Sequence, residues 1–144
     1  LDKEYVVEQA QRAAENTELA PQKAFLFNFF DFEFFYDDEK RECTIECPVS
    51  ETMFNPFGTV HGGIYTYLAD TAIGHLNFRF KDDNYVSLEL KTTHMKAMTS
   101  GKLIAKARYS KDGYNVVFTE CDIFNEKDEL VSTTSGTFYK VKKR

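Results

Sequence analysis

Between His61 and Phe80 the apolar residues recur at helical spacing, and from Val86 to Val141 they recur at spacing two. At about 100° per residue, Ile64, Tyr65, Leu68, Ala69, Ala72 and Leu76 fall on one stripe. This predicts one long helix of roughly five turns. After it, Val86, Leu88 and Leu90 alternate with Ser87, Glu89 and Lys91. Leu103, Ala105, Ala107 and Tyr109 then alternate with Lys102, Ile104, Lys106 and Arg108. Two more strands are expected over 114–124 and 130–141, with turns at Lys111–Gly113 and Asn125–Asp128. Upstream, residues 2–19 carry a weak helical stripe (Val6, Ala10 and Ala13 or Ala14) that Pro21 ends. Residues 25–36, dense in Phe, read as a buried strand beginning near Phe29. After the polar turn Asp37–Lys40, residues 41–47 form the other half of a hairpin. Helix, hairpin, long helix and four strands make an α+β domain: a mostly antiparallel sheet with a helix against it.

A chain of 144 residues is the size of one domain and one core. It holds no apolar run of 18 residues, so no membrane span is expected. No signal-peptide pattern opens it. Its three cysteines, Cys43, Cys47 and Cys121, are odd in number and sparsely spaced, which argues for buried thiols in a reducing, cytoplasmic setting. The net charge of −5 makes the chain a poor general binder of nucleic acid. That charge is uneven, because 13 of the 18 Lys and Arg follow residue 78. A basic second half suits either a solvated sheet face with a tail, Lys140 to Arg144, or a small phosphorylated ligand.

Chemistry-bearing residues concentrate in 55–72. Asp70 lies about 160° around the helix from the centre of the apolar stripe, away from its own sheet. A solvent-facing Asp and a functional carboxylate are both open there. Gly62 and Gly63 fall at the first turn of the helix, where N–H groups lack helical partners and the dipole is positive. This is either a glycine turn entering a helix or an oxyanion hole for a carbonyl oxygen. His61 is either a histidine ordering its turn or a base, and Asn55 stands six residues before it in a loop marked by Pro56 and Gly58. His75 reads as a packing residue at the edge of the stripe, and His94 falls in a strand with no role assigned. Three scattered histidines lack metal-ligand spacing, so no metal is expected.

The stretch Gly58-Thr59-Val60-His61-Gly62-Gly63, followed by Leu68-Ala69-Asp70-Thr71-Ala72, resembles the PaaI-type hotdog acyl-CoA thioesterases. The family pattern is an Asn, then Gly-Thr-x-His-Gly-Gly, then a helix with Asp nine residues after the His; Asn55, His61 and Asp70 match it. Similarity extends from about Phe29 to Val141. The resemblance implies a hotdog fold, a sheet around one long central helix, in a single domain over 1–144 with residues 1–21 as an N-terminal helical extension. It implies hydrolysis of acyl-CoA to free acid and CoA, with no cofactor beyond the CoA of the substrate. It further implies a homodimer as the minimum active unit, paired into a homotetramer. Asp70 of one protomer, as general base or nucleophile, would then face Asn55, His61 and the Gly62 or Gly63 N–H of the other. Asn55 would place the water or carbonyl, Ser87 would help hold that water, and His61 would support Asn55 or the thioester. Lys96-Ala97 departs from the family's usual Arg-Pro or Ser-Pro.

Lys96, Lys102, Lys106, Arg108 and Lys111 are candidates for holding the phosphates of CoA. Serine-hydrolase chemistry lacks its G-x-S-x-G elbow, and Thr99-Ser100-Gly101-Lys102 lacks the first Gly and the final Ser/Thr of a P-loop. The alternative to an enzyme is a non-catalytic acyl-CoA-binding hotdog module, which would keep a CoA groove but need no working carboxylate.

Overall fold

The computed structural model describes residues 1–142. Its first helix, α1 (Lys3–Asn16), starts where an Asp2 carboxylate oxygen accepts the Tyr5 N–H at 3.1 Å. It ends at Asn16, short of the expected 19. A short helix α2 (Phe25–Phe29) follows, then the hairpin β1 (Glu33–Asp37) and β2 (Glu42–Pro48), and a 3₁₀ turn at Glu51–Met53. The long helix α3 (Gly62–Phe80) leads into β3 (Asn84–His94), β4 (Lys102–Asp112), β5 (Val116–Phe124) and β6 (Leu130–Val141). All strand pairs are antiparallel, in one six-stranded sheet of order β1-β2-β4-β5-β6-β3. The long helix packs on this sheet against β2 through β6, which is the hotdog arrangement. Among the described residues no helix is long and apolar enough to cross a membrane.

The stripe predicted on α3 is the one that is buried. Leu68, Ala69, Ala72 and Leu76 are fully covered, as is Ile73. Each large aliphatic side chain there is worth about 1.5–3 kcal/mol of burial. Alanines in both layers, Ala69 and Ala72 on the helix and Ala105 and Ala107 on β4, let backbone approach backbone. Cys43, Cys47 and Cys121 are free and buried in this core, and burial pushes the Cys43 and Cys47 thiols up to about 12. Such thiols are inert at neutral pH.

The Phe-rich stretch corrects the expectation of one continuous strand over 25–36. Its first half is α2, where Phe25 and Phe29, one turn apart, stack at 5.9 Å. Asp31 then takes a left-handed conformation (φ 56°) that turns the chain into β1. The resulting aromatic cluster surrounds His75 on α3, with Phe34 at 4.5 Å and Phe27 at 5.5 Å between ring centres.

The alternation of Val86, Leu88 and Leu90 also misleads. A β-bulge at Leu88 shifts the register between Ser87, opposite Phe138, and Glu89, opposite Thr137. One extra residue reverses which parity faces the helix. Before the bulge Tyr85 and Ser87 share the face of buried Phe138, and after it Leu90, Thr92 and His94 share the face of Gly136, Thr134 and Ser132. Val86 and Leu88 are left exposed, at 47% and 63%.

Candidate active site

Helix α3 begins at a turn held from several sides. The His61 N–H donates to the Met53 carbonyl at 2.8 Å, and the Val60 N–H to the Met98 carbonyl at 2.9 Å. His61 is the N-cap: its Nδ1 accepts the Gly63 N–H at 2.9 Å. That bond occupies the Gly63 donor and leaves Gly62, the first helical residue, with an N–H that has no intrahelical acceptor. A Cβ at Gly62 would lie 3.1 Å from His94 Nε2, so glycine lets the end of β3 lie against the helix start without displacing that ring by a few tenths of an ångström. His94, to which the sequence assigned nothing, therefore covers Gly62, and its ring also packs on Tyr65 at 5.4 Å. The bulge in β3 is what brings it there, and alternation counted straight through Leu88 hides it. Gly62, His94 and Lys96 line a cavity of about 420 Å³ beside this turn.

The Asn55 side chain is engaged within its own loop. Its Oδ1 accepts from the Phe57 N–H at 2.9 Å and the Thr59 N–H at 3.2 Å, and its Nδ2 donates to Thr59 Oγ1 at 3.0 Å. The side chain clasps the loop 55–59, whose Gly58 sits at φ 81°. It lines neither cavity described here. His61 is exposed at the same turn and lines neither as well.

Asp70 lies two turns along α3 from Gly62, half-buried in a second cavity of about 530 Å³ between the helix and β3. Burial raises its carboxyl above the ordinary carboxylate range, and the Ser87 hydroxyl acts in the opposite direction. Among the described residues Asp70 has no cationic partner. Its charge reaches Tyr67, one turn back, whose hydroxyl is raised first by burial and then by Asp70. The sequence placed Asp70 away from its own sheet; the structure sets it half-buried beside the edge strand, outside the core.

The five candidate cations are not gathered. Lys96 lines the cavity at the helix start and pairs with Glu129 at 2.6 Å. Lys102, Lys106 and Arg108 alternate with the buried residues of β4 and so lie on the face of the sheet away from α3. Lys102 pairs there with Glu46, Arg108 with Glu120 and Asp122, and Lys106 sits over the Phe124 ring. Lys111, exposed, follows a second bulge beyond Tyr109. The fold thus separates four of the five from either cavity.

Within one chain the Gly62 turn and Asp70 are eight residues apart, about 12 Å along the helix axis, and open on different cavities. A helix-start N–H lies in one place and a half-buried carboxylate in the other, the two kinds of group that acyl-transfer chemistry can use.

Residues 57–132 match the family model described as Thioesterase superfamily. A Haemophilus influenzae protein provisionally named an esterase is 33% identical over 86 residues, covering 58% of this chain and 62% of that protein. The 1,4-dihydroxy-2-naphthoyl-CoA hydrolase of Listeria monocytogenes is 29% identical over 108 residues, 74% of this chain and 88% of that enzyme. Among solved structures, a Bacillus halodurans protein crystallised with CoA superposes with a TM-score of 0.84 at 22% identity, over 100% of this chain and 97% of that one. This last likeness shows a shared fold.

Proposed function

This chain belongs to the Thioesterase superfamily, and from that premise we propose that it hydrolyses acyl-CoA thioesters to the free acid and CoA in a site shared by two protomers. The observation that carries the reading is Asp70, a half-buried carboxylate raised in pKa, without a cationic partner among the described residues, in a cavity beside Ser87. A non-catalytic CoA-binding module has no use for such a group, whose desolvation is a standing cost.

The chemistry follows from the two halves. The thioester oxygen accepts the N–H of Gly62 of the partner subunit, at the positive end of that subunit's α3. Asp70 takes a proton from the water that attacks the carbonyl carbon, and Ser87 holds the carboxylate and water in place. The tetrahedral oxyanion collapses, the C–S bond breaks, the CoA thiolate leaves and takes up a proton, and the acid is released. Asp70 attacking the carbonyl itself, through an anhydride that water then opens, uses the same arrangement. One oxyanion donor supplies about 100- to 1000-fold in rate, and general-base assistance about 100- to 10,000-fold. His61 serves by occupying the Gly63 N–H, so that Gly62 presents the free donor, and Asn55 by fixing the loop that aims this turn. Of the five cations, Lys96 is the one placed to meet a CoA phosphate.

A dimer is the minimum unit in this reading. It is supported by β3, an 11-residue edge strand that among the described residues is unpaired on its outer side, with Val86 and Leu88 exposed. Pairing of such dimers into a tetramer completes the assembly proposed. The test is Asp70→Asn assayed by thiol release from acyl-CoA. A fall of about 100-fold or more in kcat is expected; full turnover in that variant removes Asp70 from the chemistry.

A further inference from the structure

The cavity around Asp70 has a wall that does not come from the helix or the sheet. Pro21 and Phe27 line it together with Asp70, Ser87 and Phe78. Both residues precede the family-matched segment 57–132, so the carboxylate and the helix start lie in the shared region while this wall lies outside it. The cavity lining combines the polar side chains of Asp70, Thr71 and Ser87 with the apolar ones of Pro21, Phe27 and Phe78.

The wall is fastened to α3. The Gln22 N–H donates to His75 Nε2 at 3.2 Å, and Gln22 Nε2 donates to the Tyr36 hydroxyl at 3.0 Å. Gln22 sits at φ 67°, a conformation that a residue with a Cβ rarely adopts and that these bonds sustain. The Phe27 ring packs 5.5 Å from His75 and 6.3 Å from Tyr67. Tyr67 is one turn before Asp70 on the helix, so Phe27 lines the cavity about one turn from the carboxylate. An acyl group with its carbonyl at Asp70 and its tail in this cavity would meet this ring.

We infer that the segment Pro21–Phe27 selects the substrate by acyl length, with Phe27 as the specificity-determining residue. This rests on the thioesterase reading above. Removing the ring opens the apolar end of the cavity to longer chains, and enlarging it closes that end.

The test is the ratio of kcat/KM for dodecanoyl-CoA to that for butyryl-CoA, which is independent of the fraction of active enzyme. Phe27→Ala should raise the ratio about tenfold, the gain from burying roughly two more methylenes. Phe27→Trp should lower it. If Phe27→Ala does not fold, Phe27→Leu carries the upward arm, with a smaller rise expected. A ratio unchanged in the folded variants, with hydrolysis intact, overturns the role of the segment and leaves the thioesterase reading standing. Failure of the wild-type chain to hydrolyse either substrate overturns both.

Discussion

Asp70 and Ser87 illustrate how a single residue's environment sets its chemistry. A mid-helix Asp is a poor helix former and usually faces water; here burial holds its carboxyl above the usual range while Ser87 opposes the shift. Removing Ser87 therefore raises the carboxyl further. If catalysis needs the carboxylate, Ser87→Ala should move the acid limb of the pH profile of kcat/KM to higher pH. An unmoved acid limb would show that Ser87 does not act on Asp70. The same logic gives Asp70→Asn a second signature: loss of a desolvated charge should raise Tm at neutral pH even as activity falls. A lowered Tm would mean that the charge is not penalised in the fold. The spacing of Asn55, His61, Gly62 and Asp70 was legible in the sequence, because short motifs carry it. What Asn55 does was not, because its three hydrogen bonds within the loop depend on Thr59 and Phe57 folding back onto it.

At the scale of elements, α3 was legible because a stripe of six residues repeats at one period, and β4 because its alternation runs unbroken to the bulge beyond Tyr109. The edge strand β3 was not. Its bulge at Leu88 swaps the two faces midway, so the apolar residues that appear to alternate end on opposite sides and His94 reaches the helix start. The Phe-rich stretch failed for a different reason: aromatic residues serve a short helix and a strand equally, and the turn at Asp31 that separates them carries no Gly or Pro to mark it. The N-terminal segment is tied to α3 through a neutral His75. Its Nδ1–H donates to the Thr71 carbonyl at 2.8 Å, while Nε2 accepts from Gln22. Burial holds its pKa below the ordinary value, against the pull of the Thr71 carbonyl. A depressed folded value means that stability is present above the unfolded value and is lost as pH falls. The urea midpoint should thus decline as pH drops below about 6.5, the ordinary histidine value, and this decline should be weaker in His75→Gln. An identical decline in that variant would place the acid sensitivity elsewhere.

For the whole molecule, the fold class followed from the order of elements, and the protomer-level separation of the site did not. Period and spacing show that Gly62 and Asp70 share a helix; only the structure shows that within one chain they line two different cavities along it. The proposed twofold pairing along β3 would bring the two halves together, each dimer then carrying two composite sites. The decisive measurement mixes two inactive variants. Asp70→Asn removes the base, and Gly62→Pro removes the N–H at a first helical position that favours proline, with His61 before it already extended at φ −61° and ψ 136°. Unfolded together and refolded at equal concentration, the two chains should regain about a quarter of wild-type turnover, since half of the dimers are mixed and each mixed dimer holds one intact site of two. Mixed dimers verified by mass but no more active than either parent would contradict the composite site.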